Sequence, residues 1–340
     1  MTTLAIVGAA HIHTPGFVKR LKERTDVKVK YVYDHDEERA KFRANELGAA
    51  VELKLKNVLS DPEVSGVLVC SETNLHEKLV SKVAKAKKHM FVEKPLGMGA
   101  KDSYAMLKAI EKAGVIFQTG FFMRSDAKFI FLKEQITKGN FGMITRVRHS
   151  NCHSGSLGGW FDKKPTSHDN WRWMADVKQA GVGAYGDLGA HSMDVLLWLM
   201  GEVERATGVI ELGTERYKNC DEFGEGILKF KNGAVGTLAA AWLDIENPVS
   251  LIVSGTEGHA SIIHSKLYFK STKAKEFDGK EVTMLPPALP GALDLFIDSV
   301  KSGKAHPAML TAKECAVRCA TMEAVYEGAR KQKWIKPKKK

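Results

Sequence analysis

The sequence lacks most of the features that would take a chain out of the ordinary globular class. It has five cysteines (Cys70, Cys152, Cys220, Cys315 and Cys319) in 340 residues. Their number is odd and no C-x-x-C pair occurs. Only Cys315 and Cys319 share a helical face, which argues against a disulfide framework and for reduced thiols in a cytoplasmic protein. No apolar run approaches the length of a membrane span; the longest, Val195 to Met200, is far too short. An apolar strand starts within three residues of the first methionine, so no signal peptide is expected. No H-E-x-x-H or comparably sharp spacing occurs, although His11, His13, His153, His168, Asp187 and His191 offer ligand types, and no metal is expected. Neither an internal repeat nor a low-complexity tract is present, apart from a lysine-rich end. That end holds six of the lysines behind the formal charge of +11, leaving +5 for the body. It reads as a solvated tail over 331–340. No Lys/Arg stripe interleaved with aromatics occurs elsewhere, so neither nucleic acid nor membrane is expected as a partner.

What the chain does have is rhythm. Its length suggests two domains. Strand signals at Leu4–Val7, "VKVKYVYD", "GVLVC", "HMFVEKP" and "VIFQTGF" alternate with helical stretches at Thr14–Glu23, Glu37–Leu47, "HEKLVSKVAKAKK" and Lys101–Ala113. Such alternation calls for a parallel sheet covered by helices, a Rossmann-type domain expected over 1–122. Beyond it, after a helix at Ala127–Thr137, successive strand signals follow: "MITRVRHSN", "VERATGVIEL", "GEGILKFKNGAVGTLAAAW", "SLIVSG" and "ASIIHS". Asn232-Gly233 between two of them is a hairpin signal. With helices at Asp187–Met200, from Ala292 and from Thr311, residues 123–330 read as an α+β domain with a large, mostly antiparallel open sheet. The final helix is free to pack back on the first domain.

Ligands of open α/β sheets bind at the carboxyl ends of the strands. The first strand ends in Gly8, where G-x-G-x-x-G would place further glycines at positions 10 and 13; Ala10 and His13 stand there instead. Gly8 supplies the tight turn, alanine adds one methyl where backbone nears pyrophosphate, and His13 implies a wider helix–strand gap or a ring turned to the cofactor. His11 and His13 also read as polar residues at a helix start. The second strand ends in Asp34, placed to meet an adenosine ribose or, alternatively, to cap the next helix. The third runs into "CSETNLH" (Ser71, Thr73, Asn74, His76), and the fourth ends in Glu93-Lys94-Pro95, a candidate for a cis bond. Together these mark a dinucleotide site.

"EKP" closing the fourth strand, "TNLH" after the third, "GVGAYGDLGAHSMD" at 181–194, "FGMITRV" and the closing helix resemble the glucose–fructose oxidoreductase/inositol dehydrogenase (Gfo/Idh/MocA) family over nearly the whole chain. The resemblance implies NAD(P)-linked oxidation or reduction at a carbon of a sugar, cyclitol or related compound. It assigns the motif lysine to Lys94, and the motif aspartate and histidine to Asp187 and His191. It places Trp171 and Arg172 at the cofactor border; Ile12, His35, Gln118 and Arg124 complete the expected cofactor contacts.

The residue types agree. Asp187 and His191 lie four apart on one helix face. Oxidising a secondary alcohol needs a base, for which histidine is suited; Lys94 can polarise the oxygen, and Asp187 can orient His191 or bind a neighbouring hydroxyl. All three would converge on one cleft, with His153 a further substrate contact from the loop rich in His, Gly and Trp over 149–173. Two other uses of the fold stay open, a glycosidase that oxidises its sugar transiently and a non-catalytic nucleotide-binding regulator. Asp34 would accept ribose hydroxyls and repel a 2′-phosphate, with Arg39 a turn into the next helix placed to soften that repulsion, so NAD is expected in preference to NADP and not to its exclusion. Both faces of the run from Ala234 to Ala241 carry small and apolar residues, which suits sheet-to-sheet contact in a homo-oligomer.

Overall fold

The computed structural model describes residues 1–164, 166, 168–214 and 216–340. It divides into two compact units, neither of them one continuous stretch. The first comprises Met1–Gly120, Trp160–Gly181 and Gly291–Cys319; the second comprises Phe121–Gly159, Val182–Pro290 and Ala320–Lys340. Two segments from within the span 123–330 thus belong to the first unit.

In the first unit the chain runs β1 (Thr2–Ala9), α1 (Thr14–Glu23), β2 (Val27–Tyr33), α2 (Glu37–Leu47), β3 (Ala50–Val51), α3 (Leu55–Ser60), β4 (Gly66–Cys70), α4 (His76–Lys85), β5 (His89–Val92), α5 (Ala100–Ala113) and β6 (Phe117–Thr119). The strands form one parallel sheet of order β3-β2-β1-β4-β5-β6, that of a dinucleotide-binding fold. β1, β4 and β5 are almost wholly buried and, beyond Thr2, Thr3 and His89, apolar, because both faces of a parallel sheet are covered. Leu4, Ile6, Val32, Leu68 and Phe91 form a core with residues from a distant stretch: Leu293, Leu295, Phe296, Ile297 and Val300.

The second unit opens with α6 (Ala127–Thr137) and β7 (Ile144–Cys152); the short α7 (Val177–Ala180) belongs to the first unit, and the chain then enters α8 (Ala184–Met200). β8 (Val203–Glu211), β9 (Phe223–Phe230), β10 (Val235–Ala241), β11 (Val249–Gly255), β12 (Gly258–Ile263), β13 (Lys266–Ser271) and β14 (Asp278–Glu281) follow. They form an eight-stranded sheet of order β14-β13-β12-β11-β7-β10-β9-β8, antiparallel except for the β7–β10 pair. The Asn232-Gly233 hairpin joins β9 to β10, with Gly233 at φ +94°. α8 lies on β7, β9 and β10. That contact buries Gly236, Leu238 and Ala240, while Val235 on the opposite face stays 39% exposed. α9 (Ala292–Ser302) packs on β1, β5 and β6 of the first unit, and α10 (Ala312–Lys331) closes the chain. Among the described residues no helix is long and apolar enough to cross a membrane.

Candidate active site

The turn after β1 is tight for a steric reason. Gly8 has φ +80°, and a Cβ there would stand 2.5 Å from Ser71 Cβ, so only glycine lets β1 and the β4 loop approach. The chain then folds back through His11 N–H donating to the Cys70 carbonyl (2.9 Å) and Thr14 N–H to the His11 carbonyl (2.9 Å). Pro15 in the first turn suits the start of α1. Ala10 and His11 are buried, whereas Ile12 and His13 are half-buried.

At the ends of β2 and β4 the groups form a buried charge cluster. Asp34 is 2% exposed and accepts four hydrogen bonds: from Ala9 N (2.7 Å), Asp36 N (2.9 Å), Arg39 Nε (2.9 Å) and Arg39 Nη2 (2.7 Å). The helix-capping alternative falls to Asp36, whose carboxylate takes the Arg39 N–H. Arg39 Nη2 also donates to Glu72 Oε1 at 3.1 Å. Burial pulls the Arg39 pKa down, but the hydrogen bonds and charge of Asp34 more than reverse it. His35 lies beside both carboxylates, Nδ1 at 3.3 Å from Asp34 and Nε2 at 3.7 Å from Glu72.

Around the ends of β4 and β5, His76 is fully buried and bridges two loops, with Nδ1 3.1 Å from the Leu96 carbonyl and Nε2 3.3 Å from that of Ser71. Burial lowers its pKa, and since both partners are carbonyl oxygens, only a ring nitrogen that carries a proton donates to its partner. Ser71 and Thr73 are buried and Asn74 is exposed. Gln118 Oε1 accepts from Thr119 N and Leu310 N, a structural use. Lys94 is 2% exposed, and the Lys94–Pro95 peptide is cis.

Its neighbour Glu93 is wholly buried; Oε2 accepts the Lys94 N–H (2.9 Å) and lies 3.4 Å from His13 Nδ1 and 3.7 Å from His11 Nδ1. Burial alone would raise this carboxyl, but the two imidazoles and Lys94 hold it well below the usual range. Ligand atoms of His11, His13 and Glu93 lie within 4.8 Å of one another, a spacing open to a cation as well as to an ion pair. Trp171 and Arg172 are half-buried. The residue that ties their loop to the nucleotide turn is the next one: Trp173 Nε1 donates to the Ala10 carbonyl at 3.0 Å, and its ring lies 5.9 Å from that of His11.

In the second unit, α8 carries Asp187 and His191 one turn apart, 8% and 3% exposed. Trp242 Nε1 donates to Asp187 Oδ2 at 3.3 Å, and His191 sits against Phe121 and Phe122 with ring centroids at 5.7 and 4.7 Å. The start of α8 has no cap of its own. Asp221, from the segment before β9, accepts from Tyr185 N (2.8 Å) and Gly183 N (3.1 Å), and Tyr326 donates to it at 2.9 Å. Burial raises the Asp221 carboxyl against these bonds. Arg124 is taken up by Asp194 (Nη2–Oδ1 2.6 Å, Nε–Oδ2 2.9 Å) and lies over Trp198. His153 is half-buried, its Nδ1 accepting from Gly155 N.

Two family models match this arrangement in order: the oxidoreductase family with NAD-binding Rossmann fold over residues 2–121, and the GFO/IDH/MocA C-terminal domain over 129–261. The chain belongs to the Gfo/Idh/MocA oxidoreductase family. Among its Gfo/Idh/MocA relatives is myo-inositol 2-dehydrogenase of Thermotoga maritima, 32% identical over 240 residues, or 69% of this chain and 67% of that one. Another is 2,7-anhydro-N-acetylneuraminate hydratase of Escherichia coli, 27% identical over 268 residues, covering 77% and 68%. The solved structure of levoglucosan dehydrogenase in complex with NADH has the same fold, with a TM-score of 0.81 at 19% identity over 100% of both chains.

Proposed function

We propose that this chain is an NAD-dependent oxidoreductase that transfers a hydride between a secondary-alcohol carbon of a sugar, sugar derivative or cyclitol and the nicotinamide. The observation that carries this reading is the α8 pair, Asp187 and His191, both buried and one turn apart in a family member that also has Lys94 at the end of β5. The names of the relatives, myo-inositol 2-dehydrogenase and levoglucosan dehydrogenase, support the substrate class. A dinucleotide fits the first unit: Gly8 keeps its turn open to close approach, and a buried oxygen of Glu72 there lacks a donor. The turn from Gly8 to His13, the β4 loop with Ser71, Thr73 and Asn74, and Trp171 and Arg172 would hold it.

When bound, the nicotinamide supplies the hydride acceptor or donor. The remaining work falls to the protein. His191 takes the hydroxyl proton, Lys94 polarises the substrate oxygen, and Asp187, held by Trp242, orients His191 or a neighbouring hydroxyl. Their burial keeps water from screening these charges. Asp34, Asp36 and Glu72 outnumber Arg39 at the ends of β2 and β4, which favours NAD over NADP. His11, His13 and Glu93 form a polar cluster beside the turn and take no metal in this scheme. The chain self-associates through the outer face of the second sheet.

A second reading, a redox-initiated elimination, is favoured by one relative's being named a hydratase. A panel of sugars, cyclitols and glycosides separates the two. A dehydrogenase gives NADH absorbance, whereas elimination releases aglycone or an unsaturated sugar without net NADH. A chelator changes neither outcome. A panel that gives no turnover at all, with NAD bound, would leave the nucleotide-binding regulator as the better reading.

A further inference from the structure

The carboxylate expected to receive the adenosine ribose has no capacity left for it. An ionised carboxylate offers about four lone-pair sites, and Asp34 fills four with Ala9 N, Asp36 N and two nitrogens of Arg39. Those bonds shape the turn after β1 and the start of α2. Glu72 is the opposite case. It stands at the end of β4, which flanks β1 on the side away from β2, so Arg39 links it to Asp34 across the end of β1. Its Oε1 takes one bond from Arg39, while Oε2 is buried with no hydrogen-bond partner. Nor does its side chain cap the short helical turn that follows. A buried carboxylate oxygen without a donor is costly, and in a loop at the carboxyl end of a nucleotide-binding sheet it points to a ligand that brings one.

We propose that Glu72, not Asp34, accepts the hydroxyls of the adenosine ribose and sets the preference for NAD over NADP. The inference rests on the cofactor reading above. A ribose diol brings O–H donors to an oxygen that has none. A 2′-phosphate brings only acceptors and negative charge to the same oxygen, and Nε and Nη2 of Arg39 are already committed to carboxylates. Asp34 is a positioning residue in this scheme, holding Arg39 and the turn.

The test is calorimetric titration of NAD and NADP into the full-length parent, Glu72→Gln and Asp34→Asn, with a thermal melt of each cofactor-free protein. For Glu72→Gln we expect NAD to bind about tenfold more weakly, the loss of one charge-assisted hydrogen bond. NADP binding should hold or tighten, and the melt should be nearly unchanged. Glu72→Asp, which keeps the charge but withdraws the oxygen by one methylene, should lose NAD affinity with NADP still excluded. Asp34→Asn should melt lower and weaken both cofactors in proportion, leaving their ratio unaltered. A parent-like ratio in Glu72→Gln would make Oε2 a water-filled contact only and overturn the assignment, as would an Asp34→Asn that reverses the ratio without melting lower. A parent that binds neither cofactor, or NADP the more tightly, fails the cofactor reading itself. That failure shows in the parent titrations before any variant is compared.

Discussion

Trp242 donates its indole N–H to Asp187 Oδ2 across 3.3 Å of buried interior, from the end of β10 to the first turn of α8. That donor helps to set the direction of the Asp187 carboxylate. Trp242→Phe keeps an aromatic ring and removes the N–H, so kcat/KM should fall about tenfold, the equivalent of one hydrogen bond to a charged group. Steady-state kinetics beside a thermal melt check this. A melt that falls with kcat/KM unchanged would reduce Trp242 to packing.

Lys94 and His191 are both buried, at 2% and 3% exposure. Lys94→Met and His191→Asn preserve much of the volume while removing the ammonium and the base. Turnover should drop by about two to four orders of magnitude, with NAD still bound in a calorimetric titration. Undiminished turnover in either variant would remove that residue from the mechanism.

His149 on β7 gives the second unit a pH dependence of its own. Its Nδ1 lies 2.8 Å from Ser192 Oγ, its Nε2 is buried without a partner, and burial pushes its pKa down from 6.5 to about 4. The unfolded chain binds this proton first. Stability is therefore intact above the unfolded pKa, is lost as pH falls from about 6.5 to about 4, and changes no further below that. The loss amounts to roughly 3 kcal/mol at full protonation. Urea unfolding at pH 7 and pH 5 should show the decline, and His149→Phe should flatten it; equal slopes in the two proteins would assign it elsewhere.

The outer face of the second sheet bears on self-association. Register sets Ile227 between Thr207 and Thr237, with Val209 and Phe223 on the same face. Val209 is 62% exposed, Phe223 39% and Ile227 38%. Ile227→Lys places a charge in the middle of this patch. Light scattering should find an oligomer in the parent at micromolar concentration and a smaller species in the variant. A monomeric parent would end the proposal.

The parallel sheet was legible because its central strands are short, largely apolar and separated by amphipathic helices; Thr14–Glu23 and Glu37–Leu47 fall where periodicity places them. β3, α3, β13 and β14 were not anticipated, being two to six residues long with little pattern to read. At the candidate site the strand ends were visible, but the partners of the side chains were not. The local sequence puts Arg39 near Asp34 but does not say that it fills that carboxylate, and nothing in it says that Asp194 occupies Arg124 or that Asp221 caps α8 from 36 to 38 residues away. The loop after residue 160 shows the same limit. Trp171 and Trp173 are equivalent as letters, and only the fold decides that Trp173 reaches the Ala10 carbonyl.

The core that joins Phe91 to Phe296 also sets a timetable for synthesis. β1 to β6 are complete by residue 119, and Val18, Leu21 and Ala40 are made with them, yet the part of this core that α9 supplies arrives only from residue 292 onward. At about 5–20 residues per second, roughly nine to thirty-five seconds separate the two events on the ribosome. For that interval the core of the nascent sheet lacks Leu293, Leu295, Phe296, Ile297 and Val300, so an amino-terminal fragment ending after β6 would be without them. The core of this unit is completed only when nearly the whole chain has been made.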